Sequence, residues 1–197
     1  MRINSTIYEE IKRNNGMVTT SKVTKLGYSR TLLYNYAKNG LLERCRHGIY
    51  ILPGTAYDDM YVLMFCTGRI AYSHETALYL NGLSETLPSK HIVTIPNNEM
   101  LPNSLQKECT CYYVKPELHD VGLISKKTAF GNQVRCYNVE RTICDILRSR
   151  NRVGEETVAS ALQSYAAYEK KDLELLAEYA KQFRVAKVMK KYLKGLL

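Results

Sequence analysis

Three glycines, Gly16, Gly27 and Gly40, punctuate the first 40 residues of the chain. Glycine is the residue that most often ends a helix, because it adopts the left-handed backbone conformation without strain. The glycines follow three segments with apolar residues at helical spacing, 6–13, 22–26 and 29–38. We therefore predict three short helices within 40 residues, with Ser29 as the N-cap of the third.

Two short apolar segments follow these helices. Residues 41–45 and 48–54 have the composition of β-strands, and the basic turn Arg46, His47 and Gly48 joins them. A helix-turn-helix followed by a hairpin with cations at its tip is the layout of a winged helix. In that fold the third helix enters the major groove, and the hairpin lies against the neighbouring backbone or minor groove. We expect a winged-helix DNA-binding domain over residues 1–56.

The remaining residues, 57–197, have the pattern of a larger mixed α/β domain. The segment His91–Pro96 is predicted as a buried strand that proline ends, with further strands near 109–114, 123–125 and 134–139. From residue 140 onward the spacing is helical, with a break near Phe183 and Arg184. The predicted fold class is α+β: an N-terminal winged helix-turn-helix domain followed by a larger mixed α/β C-terminal domain that ends in helices.

The net charge of +9 is unevenly distributed along the chain. Residues 1–56 carry +6, residues 57–150 carry none, and residues 151–197 carry +3. The last 17 residues hold six basic side chains and no acid. Two basic zones separated by a neutral middle favour binding of a nucleic acid, because each cation placed on a phosphate releases counterions.

The third predicted helix offers the candidates for base recognition. Its apolar residues 32, 33 and 36 must face the core, which leaves a polar face outward. That face comprises Ser29, Arg30, Thr31, Tyr34, Asn35 and Lys38. Arg30 can donate two hydrogen bonds to guanine and Asn35 can pair with adenine, whereas Ser29 and Thr31 are suited to a phosphate. The alternative is that Arg30 and Lys38 are ordinary surface cations.

Two further groups of cations are candidates for backbone contacts. The first comprises Lys22 and Lys25 on the second helix with Arg44, Arg46 and His47 on the hairpin, where the turn is expected to expose Arg46. His47 can alternatively shape the turn. The second group lies on the last helices and comprises Lys181, Arg184, Lys187, Lys190, Lys191 and Lys194. That basic face can bind DNA, an anionic membrane surface or an acidic protein, or can simply be solvated.

We find no sequence pattern typical of an enzyme, and we predict no catalytic residue, no metal site and no cofactor. His74-Glu75 lacks the second histidine of a zinc protease helix, and no glycine-rich phosphate loop is present. The six cysteines lack the spacing of a zinc site or a disulfide framework, so we expect reduced thiols. Without a membrane-spanning apolar run or the apolar run of a signal peptide, a cytoplasmic protein is expected.

The order of these features resembles the AbiEi antitoxin family of type IV toxin-antitoxin and phage abortive-infection systems. The residues that carry the resemblance are the opening helices to Arg44, the hairpin 46–54 with its Gly48-x-Tyr50, and three later segments. Those segments are Ile70–Leu78 followed by Asn81–Ser84, the strand that ends at Pro96, and Val139–Asp145. Within the last segment, Glu140, Arg141 and Asp145 match a family motif, for which either a buried salt bridge or an antitoxin role is possible.

The resemblance implies a transcriptional autorepressor whose winged helix binds inverted repeats in the promoter of its own operon. It also implies that the C-terminal domain supplies antitoxin activity against a nucleotidyltransferase-like toxin, without a stable complex. Basic surfaces on both domains favour bent DNA, since a straight duplex rarely contacts two separated convex patches. The alternative from another class is a winged-helix regulator, unrelated to a toxin, whose central domain binds a small ligand.

Overall fold

The computed structural model describes residues 1–66 and 69–193, without the side chain of Leu193. The chain divides into two compact units, Met1–Phe65 and Cys66–Leu197. The first unit therefore includes most of a fourth helix, whereas the change in composition suggested a boundary after residue 56. In the described ranges, none of the helices is both long enough and apolar enough to cross a membrane.

The N-terminal unit consists of short helices around a small antiparallel sheet. In chain order its elements are α1 Ser5–Arg13, β1 Met17–Thr19, α2 Thr20–Lys25, α3 Thr31–Lys38, β2 Glu43–Arg46, β3 Ile49–Ile51 and α4 Asp59–Cys66. Strand β3 lies in the centre of the sheet, between β1 and β2. Thus the segment between α1 and α2 adds a third strand to the predicted hairpin, with Val18 opposite Tyr50.

The core of this unit follows the predicted apolar spacing. Its buried side chains come from α1, α2 and α3, from the segment before β2 and from the sheet: Ile7, Ile11, Val18, Val23, Leu33, Tyr36, Leu42 and Tyr50. The Tyr36 hydroxyl also accepts a 2.9 Å hydrogen bond from the backbone N–H of Asn4, which precedes α1. Burial of the apolar surface and this bond together fix α3 against α1, so the opposite face of α3 is directed to solvent.

The C-terminal unit combines a five-stranded sheet with seven further helices in the described residues. Its strands are β4 Ala71–Tyr72, β5 His91–Pro96, β6 Cys109–Val114, β7 Leu123–Lys127 and β8 Gln133–Tyr137. Its helices are α5 His74–Leu80, α6 Pro116–His119, α7 Val139–Arg148, α8 Arg150–Val153, α9 Glu155–Ala167, α10 Leu173–Gln182 and α11 Ala186–Leu193, with a 3₁₀ turn at Asn103–Leu105.

The sheet is mixed, as the sequence predicted, and its strand order is β6-β5-β4-β8-β7. Strand β4 pairs antiparallel with β5 and parallel with β8, and so connects the two halves of the sheet. The sequence analysis missed β4, because two residues are too few to show an alternating pattern. Together with the helices, this sheet confirms the mixed α+β class.

Helix α7 forms the centre of the C-terminal unit and packs against α5, α9 and α10. On this helix the Arg141 Nε lies 2.9 Å from an Asp145 carboxylate oxygen, and both side chains are buried. Glu140 instead accepts a 3.0 Å hydrogen bond from the backbone N–H of Asp172, at the start of α10. The Arg141–Asp145 salt bridge thus lies within α7, and Glu140 is the member of the motif that connects α7 to the start of α10.

The outer edge of β6 is covered by two arginine side chains. Arg148, at the end of α7, donates a 2.8 Å hydrogen bond to the carbonyl of Tyr113. Arg152, on α8, donates a 3.1 Å bond to the carbonyl of Cys111 and stacks 4.1 Å from the Tyr112 ring. Alternate carbonyls on the side of β6 that faces away from β5 thus have partners.

Candidate nucleic-acid interface

Helix α3 presents a polar face to solvent over its whole length. Leu33 and Tyr36 are buried, whereas Tyr34 is 57% exposed. The exposed residues are those predicted for base and phosphate contacts: Ser29, Arg30, Thr31, Tyr34, Asn35 and Lys38. A guanidinium, an amide, two hydroxyls, a phenol and an ammonium on one helix supply hydrogen-bond donors for base edges and for phosphate oxygens.

The start of α3 differs from the prediction by one residue. Arg30, not Ser29, occupies the N-cap position, and its side chain makes no capping hydrogen bond. The Ser29 hydroxyl lies one residue earlier, where it accepts a 3.3 Å bond from the backbone N–H of Thr31 and donates to the Thr31 hydroxyl. The predicted cap thus lies one residue before the observed N-cap position: Arg30 already has helical dihedral angles, and the Ser29 hydroxyl still accepts a hydrogen bond from an N–H of the first turn.

Helix α2 brings two lysines of unequal availability to the surface. The Thr19 hydroxyl caps α2 by accepting a 3.1 Å bond from the N–H of Lys22. The Lys22 ammonium lies 3.3 Å from the Glu10 carboxylate, which is largely buried. Lys25 is exposed at the end of the same helix. We therefore expect Lys22, which already has an anionic partner, to contribute less to the binding of a phosphate than Lys25 does.

The β2–β3 hairpin places its basic residues differently from the prediction. Strand β2 extends to Arg46, so the turn consists of His47 and Gly48 only. Arg46 is half-buried, and its Nε donates a 3.2 Å bond to the Tyr57 hydroxyl. The expectation of an exposed Arg46 in the turn is wrong, because the ladder continues through a bulge between Arg44 and Arg46.

Arg44 and His47 form the exposed part of the hairpin tip. Arg44 Nη2 donates a 3.0 Å bond to His47 Nδ1, and its Nε approaches the carbonyl of Arg46 at 3.4 Å. Gly48 has a φ of +73°, and a Cβ added there would meet the Thr20 hydroxyl at 2.8 Å. Glycine thus allows the hairpin to pack against the start of α2, while Arg44 and His47 are held together at the tip.

The second basic surface lies on α10 and α11 of the C-terminal unit. Phe183, Val185 and Met189 are buried and anchor this segment. The exposed residues are the predicted cations Lys181, Arg184, Lys187, Lys190 and Lys191. Along this segment the sequence spaces Val185, Val188, Tyr192 and Leu196 as an apolar stripe; Val188 and Tyr192 are partly buried, whereas Leu196 lies outside the described residues. Lys194, also a predicted contact, lies outside them as well.

The C-terminal unit also contains basic and aromatic residues that the sequence analysis did not select. Lys115, Arg148 and Tyr113 line one cavity together with Arg184. These residues come from β6, from the end of α7 and from segments next to α6 and α10, so no local spacing connects them. Arg184 was the only member with a sequence signal, through its place in the basic face.

The thiols and carboxylates do not form a recognisable reactive centre in the described residues. All six cysteines are thiols and not disulfides, and burial raises the pKa of Cys136 and of Cys144 to about 12. Burial likewise raises the pKa of Cys45 and of Cys111. A nucleophilic cysteine needs the opposite shift. Over residues 1–66 and 69–193, no three His, Cys, Asp or Glu side chains are grouped to hold a metal ion.

Comparison with solved structures shows that this fold occurs elsewhere. The crystal structure of the RV2827C protein from Mycobacterium tuberculosis superimposes with a TM-score of 0.62 and 15% sequence identity. The match covers 91% of this chain and 72% of that protein. At this identity the similarity establishes the fold, which is mixed α+β in both. No curated protein sequence matches the chain.

A family model supports the resemblance found in the sequence. The model described as a transcriptional regulator, AbiEi antitoxin, matches residues 5–53. That segment begins with α1 and ends two residues after β3, so it contains α3 and the β2–β3 hairpin with their exposed cations. The resemblance of this chain to the AbiEi antitoxin regulators is therefore confirmed, and residues 5–53 carry it.

Proposed function

We propose that this chain is a cytoplasmic DNA-binding antitoxin that represses its own operon. The observation that carries the proposal is the exposed polar face of α3, which lies within the segment that matches the AbiEi regulators. We interpret the N-terminal unit as a winged helix-turn-helix, with α2 and α3 as the helix pair and the β2–β3 hairpin as the wing. Its target is then an inverted repeat in the promoter, read by one α3 in each half-site.

The chemistry of α3 suits major-groove recognition. Arg30 and Asn35 are both exposed and lie five residues apart, which places them at the two edges of the solvent face, about 140° apart around the helix axis. Arginine pairs with guanine and asparagine with adenine through two hydrogen bonds each. Tyr34, between them, adds an exposed ring for contact with a thymine methyl group or a sugar. We assign sequence preference to these three residues.

The remaining cations suit the phosphate backbone. Three of these cations are exposed: Lys38 at the end of α3, Lys25 on the preceding helix and Arg44 on the following strand. The basic face of α10 and α11 provides a second set on the other unit. If one duplex contacts both sets, we expect it to bend, at a cost on the order of 1–6 kcal/mol that the additional contacts offset.

The antitoxin activity is assigned to the C-terminal unit by the family resemblance. The partner would be a nucleotidyltransferase-like toxin of a type IV system, antagonised in phage defence without a stable complex. A second candidate, a regulator that senses a small ligand, is favoured by one observation: the C-terminal unit contains a cavity of about 420 Å³ lined by cations. The two candidates differ in one outcome: an antitoxin counteracts a toxin, whereas a ligand-sensing regulator unrelated to a toxin does not.

The test is a binding series with the duplex upstream of the chain's own gene and a scrambled duplex of equal length. Wild type should prefer the upstream duplex, and Arg30→Ala with Asn35→Ala should remove most of that preference. Lys107→Ala, which removes one exposed cation elsewhere, is the matched control and should retain it. If wild type binds both duplexes equally at every salt concentration, the autorepressor proposal is wrong.

A separate measurement tests the antitoxin proposal. The gene encoding the neighbouring nucleotidyltransferase-like protein is expressed alone and with this chain, and growth is followed. Growth should be restored by wild type and also by the Arg30→Ala, Asn35→Ala variant, because α3 belongs to the DNA-binding unit. If neither restores growth, the antitoxin assignment fails while the DNA-binding result stands.

A further inference from the structure

A cavity of about 420 Å³ lies in the C-terminal unit, between the end of β6, the end of α7 and the junction of α10 with α11. Its size falls within the range of about 300–1,000 Å³ that is typical of small-molecule sites. The side chains that define its character are Lys115, Arg148 and Arg184, the ring of Tyr113, and the buried Phe183. None of these residues belongs to the DNA-binding face of α3.

The charge of the lining is positive. Against three cations stands one acid, Glu117, which lies 3.7 Å from the Lys115 ammonium and balances that cation rather than the arginines. Arg148 is oriented by its 2.8 Å hydrogen bond to the carbonyl of Tyr113. The lining therefore attracts an anionic group to the side formed by Arg148 and Arg184.

A buried arginine lies directly behind the lining. Arg141 is 0% exposed and lies against two lining residues: it stacks 3.9 Å from the Phe183 ring and donates a 2.8 Å bond to the carbonyl of Leu118. Its Nε is bonded to Asp145, but its Nη2 has no hydrogen-bond partner in the part of the chain that the structure describes. The Asp145 carboxylate balances the charge of Arg141, so Arg141 holds Phe183 and Leu118 in place behind the lining and leaves the net positive charge to the lining arginines.

The backbone at Arg184 is a second sign of function. Arg184 has a φ of +59°, in the left-handed region. The N–H of Val185 bonds to the carbonyl of Ala180 and the N–H of Arg184 to that of Lys181, which is the hydrogen-bond pattern of a helix end where glycine is preferred. An arginine here is strained, and such strain is typical of residues kept for their side chain.

The rest of the lining suits a flat ring. Tyr113 is 46% exposed, and Val114, Leu118 and Phe183 provide an apolar wall beside it. We propose that this cavity binds a nucleotide, with its phosphates against Arg148 and Arg184 and its base against Tyr113. Stacking of a base on an exposed aromatic ring tolerates every base, so the phosphates and the ring, not a particular base, define the ligand class.

A mononucleotide fits these observations better than the backbone of a duplex does. The cations line a concave volume of small-molecule size, whereas a duplex is contacted by cations spread over an extended surface. The proposal goes beyond repression and antitoxin activity, and it does not require either of them.

Titration calorimetry of the full chain with ATP, GTP, CTP, UTP and inorganic phosphate tests the proposal. Arg184→Gly should weaken nucleotide binding by about tenfold or more, since it removes a charge-assisted pair. Tyr113→Leu should weaken nucleotide binding by about fivefold or more through lost stacking, but should leave phosphate binding unchanged. The matched control is Lys107→Ala, which removes an exposed cation of the same unit that lies outside the cavity lining and outside the basic face of α10 and α11. It should change nucleotide binding by less than about twofold.

Arg184→Gly is also suited to this test because glycine relieves the backbone strain, so a loss of binding is not caused by unfolding. Its melting temperature should equal or exceed that of wild type. The proposal is overturned if no nucleotide binds wild type at concentrations of about 1 mM, or if Arg184→Gly binds nucleotides as tightly as wild type. If nucleotides do not bind and Arg184→Gly weakens duplex binding as Lys187→Ala does, the cavity is part of the DNA-binding surface.

Discussion

Replacement of His74 by Asn should remove most of the acid sensitivity of the C-terminal unit. His74 is buried, stacks 3.8 Å from the Tyr112 ring, and lies within 3.1 Å of the Ser73 and Ser149 hydroxyls. Burial, together with a smaller contribution from the nearby Arg148, lowers the pKa of His74 to about 3. The folded state therefore holds a neutral imidazole over the pH range in which the unfolded state takes up a proton.

The magnitude follows from this difference in pKa. The unfolded histidine titrates near its ordinary pKa of about 6.5, so stability is complete above that pH and falls as the pH decreases toward 3. Each unit of pH in this window changes the free energy of unfolding by about 1.4 kcal/mol, which gives about 2 kcal/mol between pH 7 and pH 5. Asn is the suitable replacement because His74 has a φ of +49°, a conformation that Asn adopts more readily than most residues.

Urea unfolding followed by circular dichroism at pH 7, 6 and 5 measures the effect. His74→Asn should be less stable than wild type at pH 7, because the ring contacts are lost, but its loss between pH 7 and pH 5 should be smaller by about 2 kcal/mol. A direct check is the imidazole carbon resonance of His74, which should not titrate above pH 5. Parallel pH profiles for the two proteins, or a His74 resonance that titrates near pH 6, would refute the reasoning.

Three further changes have expected outcomes. Arg141→Met leaves the buried Asp145 carboxylate without its partner and should destabilise the C-terminal unit by about 3–5 kcal/mol in urea unfolding, unlike an exposed Lys→Met change. Gly122→Ala should cost about 1–3 kcal/mol in the same assay, because its φ is +73° and the new Cβ would meet the Cβ of Arg141 at 2.8 Å. Glu10→Gln releases Lys22 from its ion pair and should steepen the salt dependence of binding to any duplex by up to about one phosphate contact. An unchanged slope would mean that Lys22 does not approach DNA.

Helices α1, α2 and α3 could be predicted from the sequence, because each is a short segment that is followed by a glycine and has one apolar side. Leu33 and Tyr36 face the core as their spacing indicated, and this placed Arg30 and Asn35 outside. The N-cap of α3 was predicted one residue too early, because the helix boundary depends on the backbone dihedral angles at Ser29 and Arg30, which the sequence does not specify. The environment of Arg46 was predicted incorrectly because its hydrogen-bond partner, Tyr57, lies 11 residues away and no local sequence pattern indicates this bond.

Prediction was less complete for the C-terminal unit, where contacts join distant segments. The break between α10 and α11 and the basic outer face were visible in the spacing of Arg184 and Lys187. Met189 is buried as well, because it lies four residues after Val185 and so on the same helical face. The cavity next to Arg184 could not be predicted from the sequence, because Tyr113 and Arg148 come together only when α7 packs beside β6.

The arginines along β6 determine what kind of partner this sheet can accept. An outer strand with vacant carbonyls is a template on which a foreign strand can add, in peptide capture as well as in aggregation. Here Arg148 and Arg152 occupy the carbonyls of Tyr113 and Cys111, so an incoming strand would first have to displace two charged side chains. A protein partner at this edge therefore contacts guanidinium groups and tyrosine rings instead of backbone carbonyls. Such an edge favours a partner surface with acidic side chains over the addition of a β-strand.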